Sequence, residues 1–274
     1  MEVYRNADVG QTSKADDSPL TLADLAAHRT IVEALSKLTP EIPILSEEAA
    51  DIAYPVRSQW KRYWLVDPLD GTTNFLHGFP VVGVAIALID HGEPLVGAVF
   101  NPYTDELYTA IRGSGAQLVR ASGPPAPLSV SERAPDQAVV TTGFPFRDKT
   151  KIPRHLMAVR ACLERFEDLR RPGAASLDLA WVAAGVFEGF FELGLSSWDV
   201  AAGALLVEEA GGVVSDWDGG DDYLAGDILA GSPAVHQGLL EIAEGPGPQT
   251  GAIPSSFGAS SFGEAATPPR PTPP

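Results

Sequence analysis

Asp67-Pro68-Leu69-Asp70-Gly71-Thr72-Thr73-Asn74-Phe75 sets two carboxylates, a carbonyl and a glycine-led turn at the end of a strand. The preceding Tyr63-Trp64-Leu65-Val66 reads as a short buried strand, which Pro68 is expected to stop because proline has no amide hydrogen for a ladder. Asp67 is then expected at the C-terminal edge of the sheet, where ligands of open α/β sheets bind. Hard cations such as Mg²⁺ prefer carboxylate, carbonyl and water oxygens, so Asp67 and Asp70 would share such ions, with the Leu69 carbonyl as a further ligand. Gly71 would let a substrate approach the backbone. The amides of Gly71, Thr72 and Thr73 would open a helix whose N-terminus offers unpaired N–H groups and a favourable dipole to a phosphate. Taken alone, the run is also an ordinary Asp-rich turn, since Asp, Pro, Gly and Thr all occur in turns for local reasons.

Other phosphate chemistries fail on spacing. The two aspartates are three apart, whereas an Asp-x-Asp nucleophile pair needs two. The single Cys162 is followed six positions on by Asp168, not by the arginine of a thiol-based phosphate loop. Composition bounds the remainder. A chain of 274 residues can bury most of its apolar surface in one large or two modest domains. One cysteine rules out an internal disulfide and suits a reducing compartment. No apolar run approaches transmembrane length, and the first residues lack the basic start and apolar core of a signal peptide, so a cytoplasmic location is expected. A formal charge of −17 argues against a nucleic-acid polymer or an anionic membrane as partner. Most of that charge reads as solubilising surface.

The sequence divides near residue 244. From Gly245 onward there are eight prolines, five glycines and one charge of each sign, the composition of a disordered Pro/Gly-rich tail over 245–274. Before it, helices alternate with apolar strands. Thr21 and Asp24 form a capping-box-like start to a helix running to Leu38, with Leu22, Leu25, Val32 and Leu35 on one face. Val81 to Ile89 and Pro94 to Asn101 read as adjacent strands joined by Asp90-His91-Gly92-Glu93. Helices are expected over Ser176 to Phe187 and Trp198 to Ala210, the second closed by Gly211-Gly212.

Some motifs carry no function. Asp216-Trp217-Asp218-Gly219-Gly220-Asp221 starts like a calcium loop but has Gly220 and Asp221 at the fifth and sixth positions, so it reads as a tight acidic turn. Gly113-Ser114-Gly115 lacks the third glycine of a dinucleotide fingerprint and reads as a hairpin turn. None of the five histidines has a paired metal-ligand spacing, and His77 reads as a loop-packing residue rather than a general base.

Three further segments accompany the aspartate turn. Ile42-Pro43-Ile44-Leu45 is a strand-like run that delivers Glu47 and Glu48. Ser197-Trp198-Asp199-Val200-Ala201-Ala202-Gly203 starts a helix, and taken alone Asp199 is a candidate N-cap, because Asp satisfies orphan amides there. Arg171-Pro172-Gly173-Ala174-Ala175-Ser176 reads by itself as an ordinary helix-start turn. Together with residues 67 to 75, these segments resemble the inositol monophosphatase family of lithium-sensitive, magnesium-dependent phosphatases, over roughly residues 14 to 243.

The resemblance implies an α/β, α+β-layered fold: an alternating α-β-α-β-α sandwich of the sugar-phosphatase type. It would occupy residues 1–244 as one catalytic domain, with a metal-binding half over about 1–140 and a second half over about 141–244. It implies that Glu47, Asp67, the Leu69 carbonyl, Asp70 and Asp199 hold two or three Mg²⁺, and that Thr72 and Glu47 orient the attacking water. Asp67 joins them as a catalytic residue. Substrate would contact Gly71, Thr72, Gly173, Ala174, Ala175, Glu192 and Asp199, with Glu192 accepting a hydrogen bond from a polyol hydroxyl. A homodimer is implied as well.

The resemblance leaves several substrates open. Ser13 to Thr21 and Leu45-Ser46-Glu47-Glu48 look like the bisphosphate-nucleotidase branch, which cleaves 3′-phosphoadenosine 5′-phosphate. Thr73 to Pro80 looks like the inositol monophosphatases instead. Glu192 would repel a second phosphate, which favours a small polyol or sugar monophosphate, inositol 1-phosphate first. Fructose-bisphosphate or histidinol-phosphate hydrolysis, and a catalytically silent module that binds metal and phosphate, are the other readings. Family members also begin with an amphipathic helix ahead of the segment matching Met1 to Arg5. Its absence here is read as a truncated or misassigned start, which would leave an apolar patch to a dimer partner.

Overall fold

The computed structural model describes the backbone of residues 12–13 and 19–245 and the side chains of residues 21–245. The readings made of residues 1–5, of residues 14–18 and of the Pro- and Gly-rich stretch beyond Gly245 lie outside these described residues. Two short strands, β1 (Thr12–Ser13) and β2 (Pro19–Leu20), pair antiparallel ahead of helix α1 (Leu22–Leu38). A seven-stranded sheet follows in sequential order: β3 (Ile44–Ser46), β4 (Arg62–Asp70), β5 (Gly83–Asp90), β6 (Glu93–Asn101), β7 (Glu106–Ile111), β8 (Ala116–Arg120) and β9 (Ala126–Pro127). Only β3 and β4 run parallel in it. The short helices α2 (Tyr54–Arg57) and α3 (Thr72–Leu76) flank β4.

The second sheet has five strands, β10 (Val139–Thr142), β11 (Asp168–Arg170), β12 (Gly189–Glu192), β13 (Val213–Ser215) and β14 (Ile228–Gly231), in spatial order β11-β10-β12-β14-β13. Helices α4 (Ile152–Arg165), α5 (Ala175–Ala183), α6 (Ser197–Glu209) and α7 (Pro233–Ala243) complete the chain. Helix α1 packs on one face of the large sheet, where the Trp64 indole donates to Thr39 Oγ1 at 2.8 Å. Leu65, Ala85, Ala87, Ile89 and Val99 point to the opposite face, onto α5 and α6, which also pack against the small sheet. Helices α4 and α7 cover the far side of that sheet. The layers therefore run α-β-α-β-α, as the resemblance implies. Among the described residues no helix is long and apolar enough to cross a membrane.

Local chemistry explains most element ends. The capping box of α1 forms: the Thr21 side chain accepts from the Ala23 and Asp24 amides, and Asp24 accepts from the Thr21 amide at 2.8 Å. Of its expected apolar face, Leu35 is buried, whereas Leu22 is half exposed because it sits in the first turn. Strands β5 and β6 meet at a two-residue turn, His91-Gly92, with both φ angles positive, tighter than the four-residue link expected. Helix α5 ends at Ala183, short of Phe187, because Gly185 adopts a positive φ. Helix α6 stops at Glu209 and Gly211 turns the chain at φ +87.

Pro68 does not end β4. Asp67 pairs with Ala85 and Asp70 with Gly83, so β4 takes three steps where β5 takes two, and the strand continues through this bulge to Asp70. A bulge leaves one residue out of the ladder, which removes the need for the amide that proline lacks.

Helices α5 and α6 are buried almost all round and approach closely. A Cβ at Gly203 would stand 2.5 Å from Leu179 Cβ. Gly203→Ala is therefore expected to cost about 1–3 kcal/mol through overpacking, lowering the Tm by about 2–4 °C per kcal/mol. An unchanged melting curve would show that the two helices can move apart freely.

Candidate active site

In a regular strand, residues 67 and 70 would face opposite sides of the sheet. The extra residue of the β4 bulge turns both the same way, and Asp67, Leu69 and Asp70 line one cleft of about 450 Å³. The bulge is held by the Leu69 amide donating to Asp67 Oδ1 at 2.9 Å. Gly71 follows at φ +86, and a Cβ there would lie 2.9 Å from the Val81 carbonyl, so both conformation and space require glycine. It caps α3, whose first residues Thr72 and Thr73 also line the cleft.

The other expected residues arrive from three elements. Glu47 lies in the 3₁₀ turn after β3, Glu192 at the end of β12, and Asp199 in the first turn of α6. All three line the same cleft, as do Gly173 and Ala175. Ala174 does not line it: the residue is buried, and its Cβ comes within 3.3 Å of a Cβ placed on Gly71. Asp199 is not the N-cap of α6. Ser196 is, and Asp199 is the third helical residue of a capping box, accepting from the Ser196 amide at 2.7 Å. The cap therefore uses the same carboxylate that faces the cleft. His77 is exposed and lies outside the cleft lining.

Several participants escaped the sequence reading. Asp24, read only as a helix-capping residue, presents Oδ1 to the Thr72 hydroxyl at 3.2 Å. That hydroxyl lies equally far from the Leu69 carbonyl, so its single proton serves one acceptor at a time. The Asn74 amide reaches the carbonyls of Val81 at 2.9 Å and Pro172 at 3.0 Å, which fixes the loop before α5 beside the aspartate turn. Asp70 accepts from the Ser176 amide at 2.7 Å and the Ser176 hydroxyl at 2.6 Å, joining β4 to the start of α5. Arg147, in the loop after β10, donates to Asp199 Oδ2 at 2.9 Å and stands 3.7 Å from Glu47 Oε1. Apart from Thr72–Leu69 and Asn74–Val81, these links span 48 to 106 residues of sequence, and no local pattern announces them.

Charge in the cleft is poorly compensated. Burial, then the charges of Glu47, Asp70 and Asp199, push the Asp67 carboxyl well above its ordinary range. Burial and Asp199 push Asp70 up to about 7 against the opposing hydrogen bonds of Ser176. Burial also raises Asp199 despite Arg147, and it raises Glu192 to about 8 with help from Asp199 and Asp70. An oxygen-only donor set with surplus buried negative charge fits a hard divalent cation. Among the described residues, no three His, Cys, Asp or Glu side chains stand arranged to hold an ion without movement. The fit is therefore one of donor chemistry.

The pH dependence has a definite sign. Asp70 and Glu192 bind their protons more tightly in the folded chain than at their ordinary values of 3.8 and 4.5. Stability of the metal-free protein should fall as pH rises from those values through about 7 and about 8, and the loss is complete above them. Thermal melts without metal are expected to show a lower Tm at about pH 8 than at about pH 5. Mg²⁺ at a hundred times its pH 8 dissociation constant should restore about 2.7 kcal/mol there and much less at the lower pH. Equal Mg²⁺ effects at both pH values would contradict the carboxylate cluster as its site.

Comparison with known proteins agrees with this architecture. The sequence model of the inositol monophosphatase family matches residues 1–245. The chain is 41% identical over 241 residues to the Nus factor SuhB of Escherichia coli (strain K12), a match covering 86% of this chain and 87% of that protein. It is 44% identical over 228 residues to the inositol-1-monophosphatase of Rhizobium meliloti (strain 1021), covering 82% and 83% respectively. The crystal structure of the extragenic suppressor protein suhB from Bartonella henselae matches with a TM-score of 0.80 and 37% identity, over 89% of this chain and 92% of that one. With a family match from the first residue to the end of the folded body, and the same fold in a relative's crystal structure, the chain belongs to the inositol monophosphatase family.

Proposed function

We infer that this chain hydrolyses a small polyol or sugar phosphate monoester with the help of Mg²⁺, inositol 1-phosphate being the first candidate. The observation that carries the reading is the convergence of Glu47, Asp67, the Leu69 carbonyl, Asp70 and Asp199 on a cleft that also contains the start of α3. The inositol-1-monophosphatase name of the Rhizobium relative supports the substrate class. The named oxygens would hold Mg²⁺, which when bound supplies Lewis-acid polarisation of the phosphoryl group and a more acidic water.

The chain's own residues supply orientation. When Thr72 donates its proton to Asp24, its oxygen lone pairs are left to accept a hydrogen bond from the attacking water, and Glu47 aligns that water from the other side. The amides of Gly71 and Thr72 steady the phosphoryl oxygens as charge redistributes in the transition state. Gly173 and Ala175 form a side-chain-poor wall for the substrate. Glu192, once ionised, accepts a polyol hydroxyl and disfavours an anionic group at that place. No covalent phosphoenzyme is required.

A relative called a Nus factor favours a second reading, a binding module without turnover. Retention of an oxygen donor at each proposed ligand position, and of Thr72, supports turnover instead. Phosphate release with and without Mg²⁺, comparing inositol 1-phosphate with 3′-phosphoadenosine 5′-phosphate, separates the readings. Preference for the first is expected. Preference for the nucleotide would overturn the substrate, and no release from any phosphate ester would favour the module.

Asp67→Asn is expected to abolish turnover while retaining the circular-dichroism spectrum, and near-native activity in that variant would sink the assignment. Thr72→Val should lower kcat by about a hundredfold with little change in KM, the pattern of a lost proton-positioning group.

A further inference from the structure

Arg147 places a guanidinium inside a set of carboxylates that the proposed function assigns to Mg²⁺. Its Nη1 donates to Asp199 Oδ2 at 2.9 Å and its Nη2 stands 3.7 Å from Glu47 Oε1. The two acceptors are almost withdrawn from solvent, at 4% and 10% side-chain exposure, whereas the arginine side chain keeps 36%. The guanidinium of Arg147 is therefore fixed to proposed ligands, while its side chain as a whole keeps partial exposure. Phe146 beside it and Lys149 in the 3₁₀ turn that follows line the same cleft.

Mg²⁺ requires near-octahedral oxygens at short range and binds poorly where a fixed positive charge already occupies its carboxylates. A guanidinium is weakly hydrated and well suited to neutralising buried carboxylates until a better cation arrives. We propose that Arg147 is a built-in counter-ion that occupies part of the cation site in the metal-free protein, must release Asp199 and Glu47 when Mg²⁺ enters, and thereby sets the affinity for the ion. The released guanidinium would stay on a residue that lines the cleft, where a bound phosphate group would attract it. Ion loading and phosphate capture should then assist each other by the same factor, as linkage demands. This inference rests on the Mg²⁺-dependent reading above.

Calorimetric Mg²⁺ titrations and thermal melts of the full chain test it, using wild type, Arg147→Met and Arg147→Lys. The Met variant should melt lower than wild type without metal, and its Mg²⁺ dissociation constant should tighten about tenfold or more. The Lys variant keeps the charge on a shorter, unforked group and should fall between the two, which retains a test if the Met variant folds poorly. Inorganic phosphate should tighten Mg²⁺ binding more in wild type than in the Met variant. An unchanged or weaker Mg²⁺ affinity on removal of the guanidinium would overturn the counter-ion role while leaving the Mg²⁺ site itself standing. Absence of Mg²⁺ binding in both wild type and variants would overturn the inference together with the reading it rests on.

Discussion

Between Asp67 and Asp70, β4 takes one step more than its partner β5, and that inserted residue turns two carboxylates to the same side of a sheet that would otherwise separate them. Pro68 sits within the irregularity, where a missing amide does least harm. Much of the cleft follows from it. The Leu69 amide is free to bind Asp67, the Leu69 carbonyl comes within reach of Thr72, and Gly71 makes its left-handed turn into α3. Asp70 is placed where Ser176 can hold it, so the bulge in the large sheet is tied to the first turn of α5.

The two halves of the chain meet at this seam. The large sheet and its turns supply Glu47, Asp67, Asp70 and Thr72, while Arg147, Glu192 and Asp199 come from the small sheet and α6. Between the sheets, α5 and α6 are buried almost all round, so the helix starts that carry Ser176 and Asp199 are anchored by a rigid layer. Such anchoring lets side chains of like charge stay near one another. It comes with raised proton affinities at Asp67, Asp70, Glu192 and Asp199, an electrostatic strain that only partial relief from Ser176 and Arg147 reduces. Strain of this kind collects at functional sites, where the ligand supplies what the fold leaves out.

Elements governed by neighbours in sequence were legible. The capping box at Thr21 and Asp24, the strand from Tyr63, the hairpins at Gly92 and Gly113-Ser114-Gly115, and the glycine end of α6 all appear where local chemistry puts them. Departures from the local expectation have two sources, a strand partner at Pro68 and local helix register at Asp199 and Gly185. Pro68 looked like a strand end because a bulge is a property of two strands. Asp199 is of a type favoured at an N-cap, but Ser196 three residues earlier takes that place and Asp199 becomes the third helical residue of the box. Helix α5 ends at Ala183 although its apolar residues continue to Phe187, because Gly185 imposes a turn.

The amino-acid sequence by itself determined the oxygen-donor chemistry of the aspartate turn and, through its motifs, the family. These depend on residue types at short fixed spacings. Only the tertiary structure decided that Asp24 serves Thr72 as well as its own helix, that Ala174 is buried outside the cleft lining, and that Arg147 stands among the carboxylates. The physical reason is range. A cap or a turn is settled by hydrogen bonds three or four residues apart, whereas burial and charge pairing act through space, between residues that the chain brings together only when the two sheets close on α5 and α6.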